Sequence, residues 1–313
     1  KTGNESTDYF TISCSTWLVS MGYAWEKVDI NVGRLAGRAE NMMQEEKQKY
    51  YKHLKKGHHE PIIKEDLLED IRQGNFIVCF VPKMDVTTEE VVGAEAIVRY
   101  HHKDLGIMNP GKYITLLEET KLSHYLDMYV FEQVCKTLRH WETEDMPMLP
   151  VSVNFSETTL VQEGIIEKMM SLVEEYHVSC EYLEVELSES YVSMSQGMLA
   201  ETSDKIRKGN IRVTLDHFGA KDSSFSILSM MEFDGLKLDR SLITNIVGNK
   251  RSQITARAVI DMCRQLGVHV TAAGVETQDQ LNVVKELGCD YAQGTLFNKP
   301  ITIDTFEVRY MKG

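Results

Sequence analysis

The sequence predicts an α/β protein: a parallel (β/α)8 barrel with an antiparallel first strand, preceded by a short α/β N-terminal fragment. Three observations carry this. After Pro61, short β-rich runs alternate with amphipathic helical runs, the pattern of a mainly parallel sheet with helical crossovers. About eight such strands in roughly 245 residues favour a closed barrel over an open doubly wound sheet. The first two runs, Phe76–Val81 and Val91–Arg99, leave no room for a helix between them, so they form an antiparallel hairpin.

The elements follow in order. Residues 9–20 are rich in β-branched and aromatic types and predict a strand. Over 27–53, Val28, Val32, Leu35, Ala36, Ala39, Met42 and Met43 recur at three- and four-residue steps, which predicts a helix. Its charged tail, Glu45 to Lys56, runs into a boundary at Gly57–Pro61, dividing a fragment at 1–57 from a domain at 62–308. The remaining strands are expected at Pro150–Asn154, Tyr182–Leu187, Arg212–Asp216, Gly235–Leu238, Val268–Ala272 and Asp290–Gln293. Helices are expected at Leu126–Trp141, at Ala256–Leu266 with Gly267 in the C′ position, and from Thr277, where Gln280 completes a capping box, to Gly288.

Composition narrows the function. Apolar residues make up 42%, enough for a full core, and the net charge of −13 argues against a general binder of nucleic-acid polymers. No apolar run approaches the roughly 18 residues of a membrane span, and residues 1–8 are polar, unlike a signal peptide. The six scattered cysteines include no C-x-x-C pair and suit a reducing cytoplasm. P-loop, nucleophile-elbow and G-x-G-x-x-G signatures are absent from the sequence. The pairs His58–His59 and His101–His102 are expected in solvated loops.

Buried parallel strands should be apolar throughout. Several here carry a polar residue near the C-terminal end: Glu95, Asn154, Glu186, Asp216 and Lys237. In a parallel barrel those ends meet at one mouth, where active sites sit. Three carboxylates and an amide oxygen meeting there suit a hard cation, Mg²⁺ or Mn²⁺. Each acid alone reads more readily as a helix cap or a surface strand end than as a site residue; five polar residues on successive strands point to a site.

VVGAEAIVRY resembles the signature segment of the EAL domain family, with Ile97 in place of its leucine. NPGKYITLLEET, VSVNFS, LEVELSES, LDHFG, LKLDRS, GVET and GCDYAQGTLFNKP follow in family order from about 62 to 308. Residues 1–57 resemble the end of a GGDEF domain, with RAENMMQEEKQKYY as its closing helix. The resemblance implies a TIM-like barrel that linearises cyclic di-GMP with two divalent ions. It places one ion on Glu95, Asn154, Glu186 and Asp216, and gives Lys237 the attacking water. It makes Glu189 the residue that orients a neighbouring loop, and Arg99 and Gln293 contacts to the nucleotide.

The sequence departs from the family pattern at four further places. The second aspartate of its D-D-F-G loop is His217, and the residues after that loop are Ala220, Lys221 and Asp222. The first glutamate of E-G-V-E-T is Ala273, and the glutamine that seats the nucleotide is Val81. An imidazole can ligate Mn²⁺ but removes one negative charge, and Ala273 removes another. A metal pair about 4 Å apart needs such anions to be tolerable. The resemblance therefore implies one kept ion site, a doubtful second, and a degenerate domain. Three roles stay open: a cyclic di-GMP sensor, a protein-interaction module without nucleotide, and a slow phosphodiesterase. A homodimer through Ser223–Met231 is also expected, with Phe225, Ile227, Leu228, Met230 and Met231 offering the surface.

Overall fold

The chain divides into two compact units, Lys1–Ile63 and Lys64–Gly313. The computed structural model describes residues 10–12, 22–24, 64–103, 106–188, 196–220 and 226–311. In the first unit β1 (Phe10–Ile12) pairs antiparallel with β2 (Gly22–Ala24). β1 falls within the strand expected at 9–20. The helix expected over 27–53, the boundary near Pro61, Cys14 and the pair His58–His59 lie outside the described residues.

The second unit is a closed eight-stranded barrel with helices around it. β3 (Phe76–Asp85) and β4 (Val91–His102) form the expected antiparallel hairpin, and β5 (Gly106–Ile107) extends its far end. β6 (Val151–Asn154) pairs parallel with β4. The parallel run continues through β7 (Leu183–Ser188), β8 (Arg212–Phe218), β9 (Gly235–Leu238), β10 (His269–Ala273) and β11 (Tyr291–Gln293). β3 closes the ring by pairing antiparallel with β11, and β12 (Ile301–Thr302) adds to its outer length. The antiparallel β3 follows from chain length: Val86–Glu90 is too short for a crossover helix.

Each strand alternates. In β7, Leu183, Val185 and Leu187 are fully buried against the helical layer, while Glu184 and Glu186 face the lumen. The helix Ser123–Thr143 buries Leu126, Val130, Val134, Leu138 and Trp141, the face its periodicity predicts. The helix Lys250–Leu266 stops at Gly267, whose φ of 73° is the left-handed cap a glycine adopts without strain. Thr277 and Gln280 form the expected capping box of the helix Gln278–Glu286. Among the described residues no helix is long and apolar enough to cross a membrane.

Two expectations are corrected. His101 and His102 end β4 rather than lying in a loop, and His102 is buried, its ring edge-on to Tyr100. Strand alternation turns one of the adjacent rings inward. Ile227, Leu228 and Met231, expected as a dimer surface, are buried in the barrel's own core, which leaves Met230 exposed. A four-residue helix, Ile227–Met230, turns those apolar residues inward. Phe225 lies outside the described residues.

The last helix, Ile303–Tyr310, seals one flank through aromatic contacts. Phe306 stacks on Trp141, and Phe80 meets both edge-on. Trp141 Nε1 donates to Glu307 Oε1 at 2.8 Å, so its polar edge is satisfied in the core. Trp141→Ala should therefore cost about 3–5 kcal/mol of unfolding free energy. Urea denaturation followed by far-UV circular dichroism reads this directly; a cost under about 1 kcal/mol would contradict the packing described.

Candidate functional site at the barrel mouth

Strand register brings the polar strand ends to one level. Val81 pairs with Glu95, Asn154 with Glu186, Ser188 with Asp216, Lys237 with Thr271, and Ala273 with Gln293. At the centre stands Lys237, only 4% exposed. Its Nζ lies 2.7 Å from Glu186 Oε2, 3.0 Å from Glu95 Oε2 and 3.5 Å from Asp216 Oδ2. Asn154 Nδ2 donates to the other Glu95 oxygen at 2.8 Å. The four residues expected to hold an ion, and the lysine expected beside them, do converge.

The electrostatics follow from one ammonium among three acids. Burial alone would pull Lys237 down, but the charges of Asp216, Glu186 and Glu95 outweigh it and hold the amine well above its ordinary value. Burial would raise Glu95; the Lys237 charge, with hydrogen bonds from Lys237 and Asn154, brings it below the usual carboxylate range. Glu186 goes the other way, pushed well up by burial and then by the Glu95 charge. Glu186 Oε1 is buried and has no hydrogen-bond partner among the described residues.

The donor set is all oxygen, and an orphaned buried carboxylate oxygen faces the others. That chemistry fits a hard divalent cation. The spacing differs from the expectation. The acids gather round the lysine, and among the described residues no three His, Cys, Asp or Glu side chains stand at metal-ligand spacing. The reason is Coulombic: the ammonium is the positive charge within reach, so each carboxylate turns to it.

The positions that the resemblance marks as departures lie around this cluster. His217 adopts a left-handed backbone, φ 61°, and its N–H donates to Asp216 Oδ1 at 2.7 Å. Its ring lies between two acids, Nδ1 3.3 Å from Asp239 Oδ2 and Nε2 3.5 Å from Asp216 Oδ2. Ala273 is half-buried beside Gln293 and brings no polar side chain. Val81 offers only its carbonyl, which accepts from Gln293 Nε2 at 3.4 Å; the same amide reaches Glu95 Oε2 at 3.4 Å. The loop carrying Gln293 is held by close approach, since a Cβ at Gly294 would lie 2.0 Å from the Val275 carbonyl oxygen. Arg99 is half-buried on β4; burial pushes the neighbouring Cys79 and Tyr113 up, and the Arg99 charge offsets only part of that rise. Glu189, Lys221 and Asp222 lie outside the described residues.

Sequence reasoning missed three groups. Asp239, which closes the His217 bridge, also caps a helical turn: its side chain accepts from Ser241 N. Asp127 Oδ2 accepts from Ser156 N, Ser156 Oγ and Thr159 Oγ1 at 2.6–2.8 Å, fixing the chain just after Asn154. Lys83 and Glu184 form a buried pair deeper in the lumen. Their signal is present in FVPKM and LEVEL, where a charged residue shares the inward face of an apolar strand.

The fold and this mouth define a class, and comparison with known proteins agrees. The EAL domain family matches residues 64–300, and the chain belongs to that family. Cyclic di-GMP phosphodiesterase PA2567 of Pseudomonas aeruginosa is 28% identical over 232 residues, 74% of this chain and 39% of that protein. Signaling protein YkoW of Bacillus subtilis is 30% identical over 241 residues, 77% of this chain and 30% of that protein. A solved PaMucR phosphodiesterase, in complex with c-di-GMP, superposes with a TM-score of 0.72 at 23% identity, over 77% of this chain and 98% of its own. The chain thus spans between 30% and 39% of the length of these two curated relatives.

Lys237→Met leaves Glu95, Glu186 and Asp216 buried without their counter-ion. Breaking a buried ion cluster from one side should cost about 3–5 kcal/mol at neutral pH. Urea denaturation in the presence of a chelator measures it; a variant as stable as the wild type would show that the ammonium does not hold this mouth together.

Proposed function

We propose that this barrel is a degenerate EAL domain that binds cyclic di-GMP without efficient turnover and serves as a sensor or regulatory module in cyclic di-GMP signalling. The supporting observation is that one half of the mouth is kept and the other is not. Glu95, Asn154, Glu186, Asp216 and Lys237 converge, while His217 and Ala273 stand where the family carries acids. On this reading residues 1–57 are the remnant of a GGDEF-like domain and the protein works in the cytoplasm.

Glu95, Asn154, Glu186 and Asp216 would hold one Mg²⁺ or Mn²⁺. Bound there, such an ion supplies Lewis acidity and charge to a phosphodiester. Arg99 would contact a ligand phosphate, and no hydrogen bond or ion pair ties its guanidinium to another described residue. Gln293 would meet the nucleotide beside Val81, with one amide oxygen still unpaired. Lys237 donates from the floor of the mouth, and Glu189 would steady the adjoining loop. With the anions of positions 217 and 273 gone, a second divalent ion meets more repulsion than attraction. Loss of several kcal/mol of transition-state stabilisation means a rate fall of roughly 10³ or more.

One observation favours a second reading, a weak metal-dependent phosphodiesterase. The His217 ring stands within 3.3–3.5 Å of two carboxylates, so it is placed to add a nitrogen ligand to a divalent cation such as Mn²⁺. Incubation with cyclic di-GMP and Mn²⁺, followed by chromatography, separates the two readings. The wild type should give no linear dinucleotide above background. The double variant His217→Asp/Ala273→Glu should gain at least about ten-fold. Wild-type turnover that Glu95→Ala abolishes would establish the enzyme instead.

A further inference from the structure

A second charged layer lies beneath the mouth. Lys83 reaches across the lumen from β3 to β7, where its Nζ stands 2.9 and 3.1 Å from the two oxygens of Glu184. Thr214 Oγ1, on β8, donates to Glu184 Oε1 at 2.7 Å. Both charged side chains are buried, 9% and 7% exposed. Space for this arrangement comes from Gly235, where a Cβ would lie 2.2 Å from Thr214 Oγ1. Glu184 precedes Glu186 on the same inward face, and Thr214 precedes Asp216 likewise. Lys83 follows Val81 on the antiparallel strand, so it also lies deeper than Glu95. Two residues along a strand put the pair about 7 Å below the mouth carboxylates.

Barrel interiors are ordinarily filled by branched apolar side chains. A buried ion pair gives no more stability than apolar residues of equal volume, and often less. Stability therefore does not account for the pair, but its position under the acids does. We infer that Lys83 and Glu184 are the electrostatic floor of the mouth: two fixed, opposite charges one layer down that set how tightly it takes up a divalent cation. This rests on the cation reading given above. At about 7 Å in partly buried surroundings a unit charge still acts strongly on a doubly charged ion. Glu184 draws the cation in and Lys83 opposes it. Glu184 Oε1 accepts from Lys83 and Thr214 and Oε2 from Lys83, so both oxygens are occupied and Glu184 acts through its charge without becoming a ligand. Both are positioning residues, acting through the groups above them.

The test is titration of the full chain with Mn²⁺ alone, read by calorimetry and by loss of the free-ion paramagnetic resonance signal. Glu184→Gln leaves Lys83 unopposed and should weaken Mn²⁺ at least about ten-fold. Lys83→Met leaves Glu184 unopposed and should tighten it by a similar factor. The double variant should return to within about three-fold of wild type. Lys83→Gln removes the same charge as Lys83→Met and keeps a polar tip to meet Glu184. It too should tighten Mn²⁺ about ten-fold, and it decides the matter should Lys83→Met or Glu184→Gln fail to fold. A merely structural pair would weaken binding in every variant. Single variants that move together or not at all, or a Lys83→Gln protein with unchanged or weaker affinity, overturn the inference and leave the site reading standing. A wild-type chain that takes up no Mn²⁺ overturns the site reading and the inference with it.

Discussion

One ammonium group organises the mouth of this barrel. Lys237 Nζ is nearly inaccessible to solvent and stands 2.7–3.5 Å from three carboxylates on three other strands. Without it, Glu95, Glu186 and Asp216 would face one another across a low-dielectric lumen, where like charges repel strongly. With it, the acids share a centre, and the split in their acidity follows: Glu95 is held down by the lysine while Glu186 is driven up by its neighbours. The cluster is still short of positive charge, one cation against three acids. That imbalance is the physical basis for reading the mouth as a receptor for a divalent ion.

The same electrostatic account explains why the site reads as half kept. Its interior side is intact. On the proposed reading, the outer side carries an imidazole and a methyl group, at His217 and Ala273, where the resemblance implies carboxylates. The imidazole is drawn between Asp216 and Asp239, so carboxylates that could face a cation face a ring instead. On that reading, such a mouth has charge enough for one ion and a phosphate, and too little to steady two ions through a reaction. Binding without turnover is the consequence we propose, and it needs no decay of the rest of the fold.

Much of the architecture was legible in the sequence because its signals are local. The periodicity at Leu126–Trp141, the Gly267 cap, the Thr277–Gln280 box and the short Phe76–Arg99 hairpin are each set within a few residues, and each appears in the structure. The mouth residues were legible because a charge at the end of an apolar strand is conspicuous. What the sequence hid depends on distance. That Lys237 sits within 2.7–3.5 Å of three acids follows from strand register around the whole ring. Burial of Ile227, Leu228 and Met231 depends on which way a single helical turn faces, and apolar residues on such a turn read equally as surface or core. The Lys83–Glu184 pair joins residues far apart in the chain, and neither strand alone announces its partner.

The claim that matters most is binding through the kept half of the mouth. Calorimetric titration of the full chain with cyclic di-GMP, in Mg²⁺ and again in Ca²⁺, addresses it most directly. The account predicts saturable binding near one nucleotide per barrel with a Kd of about 1–10 µM, weakened by Arg99→Ala and by Glu95→Ala. Absence of heat in either ion at ligand concentrations of about 300 µM would contradict it.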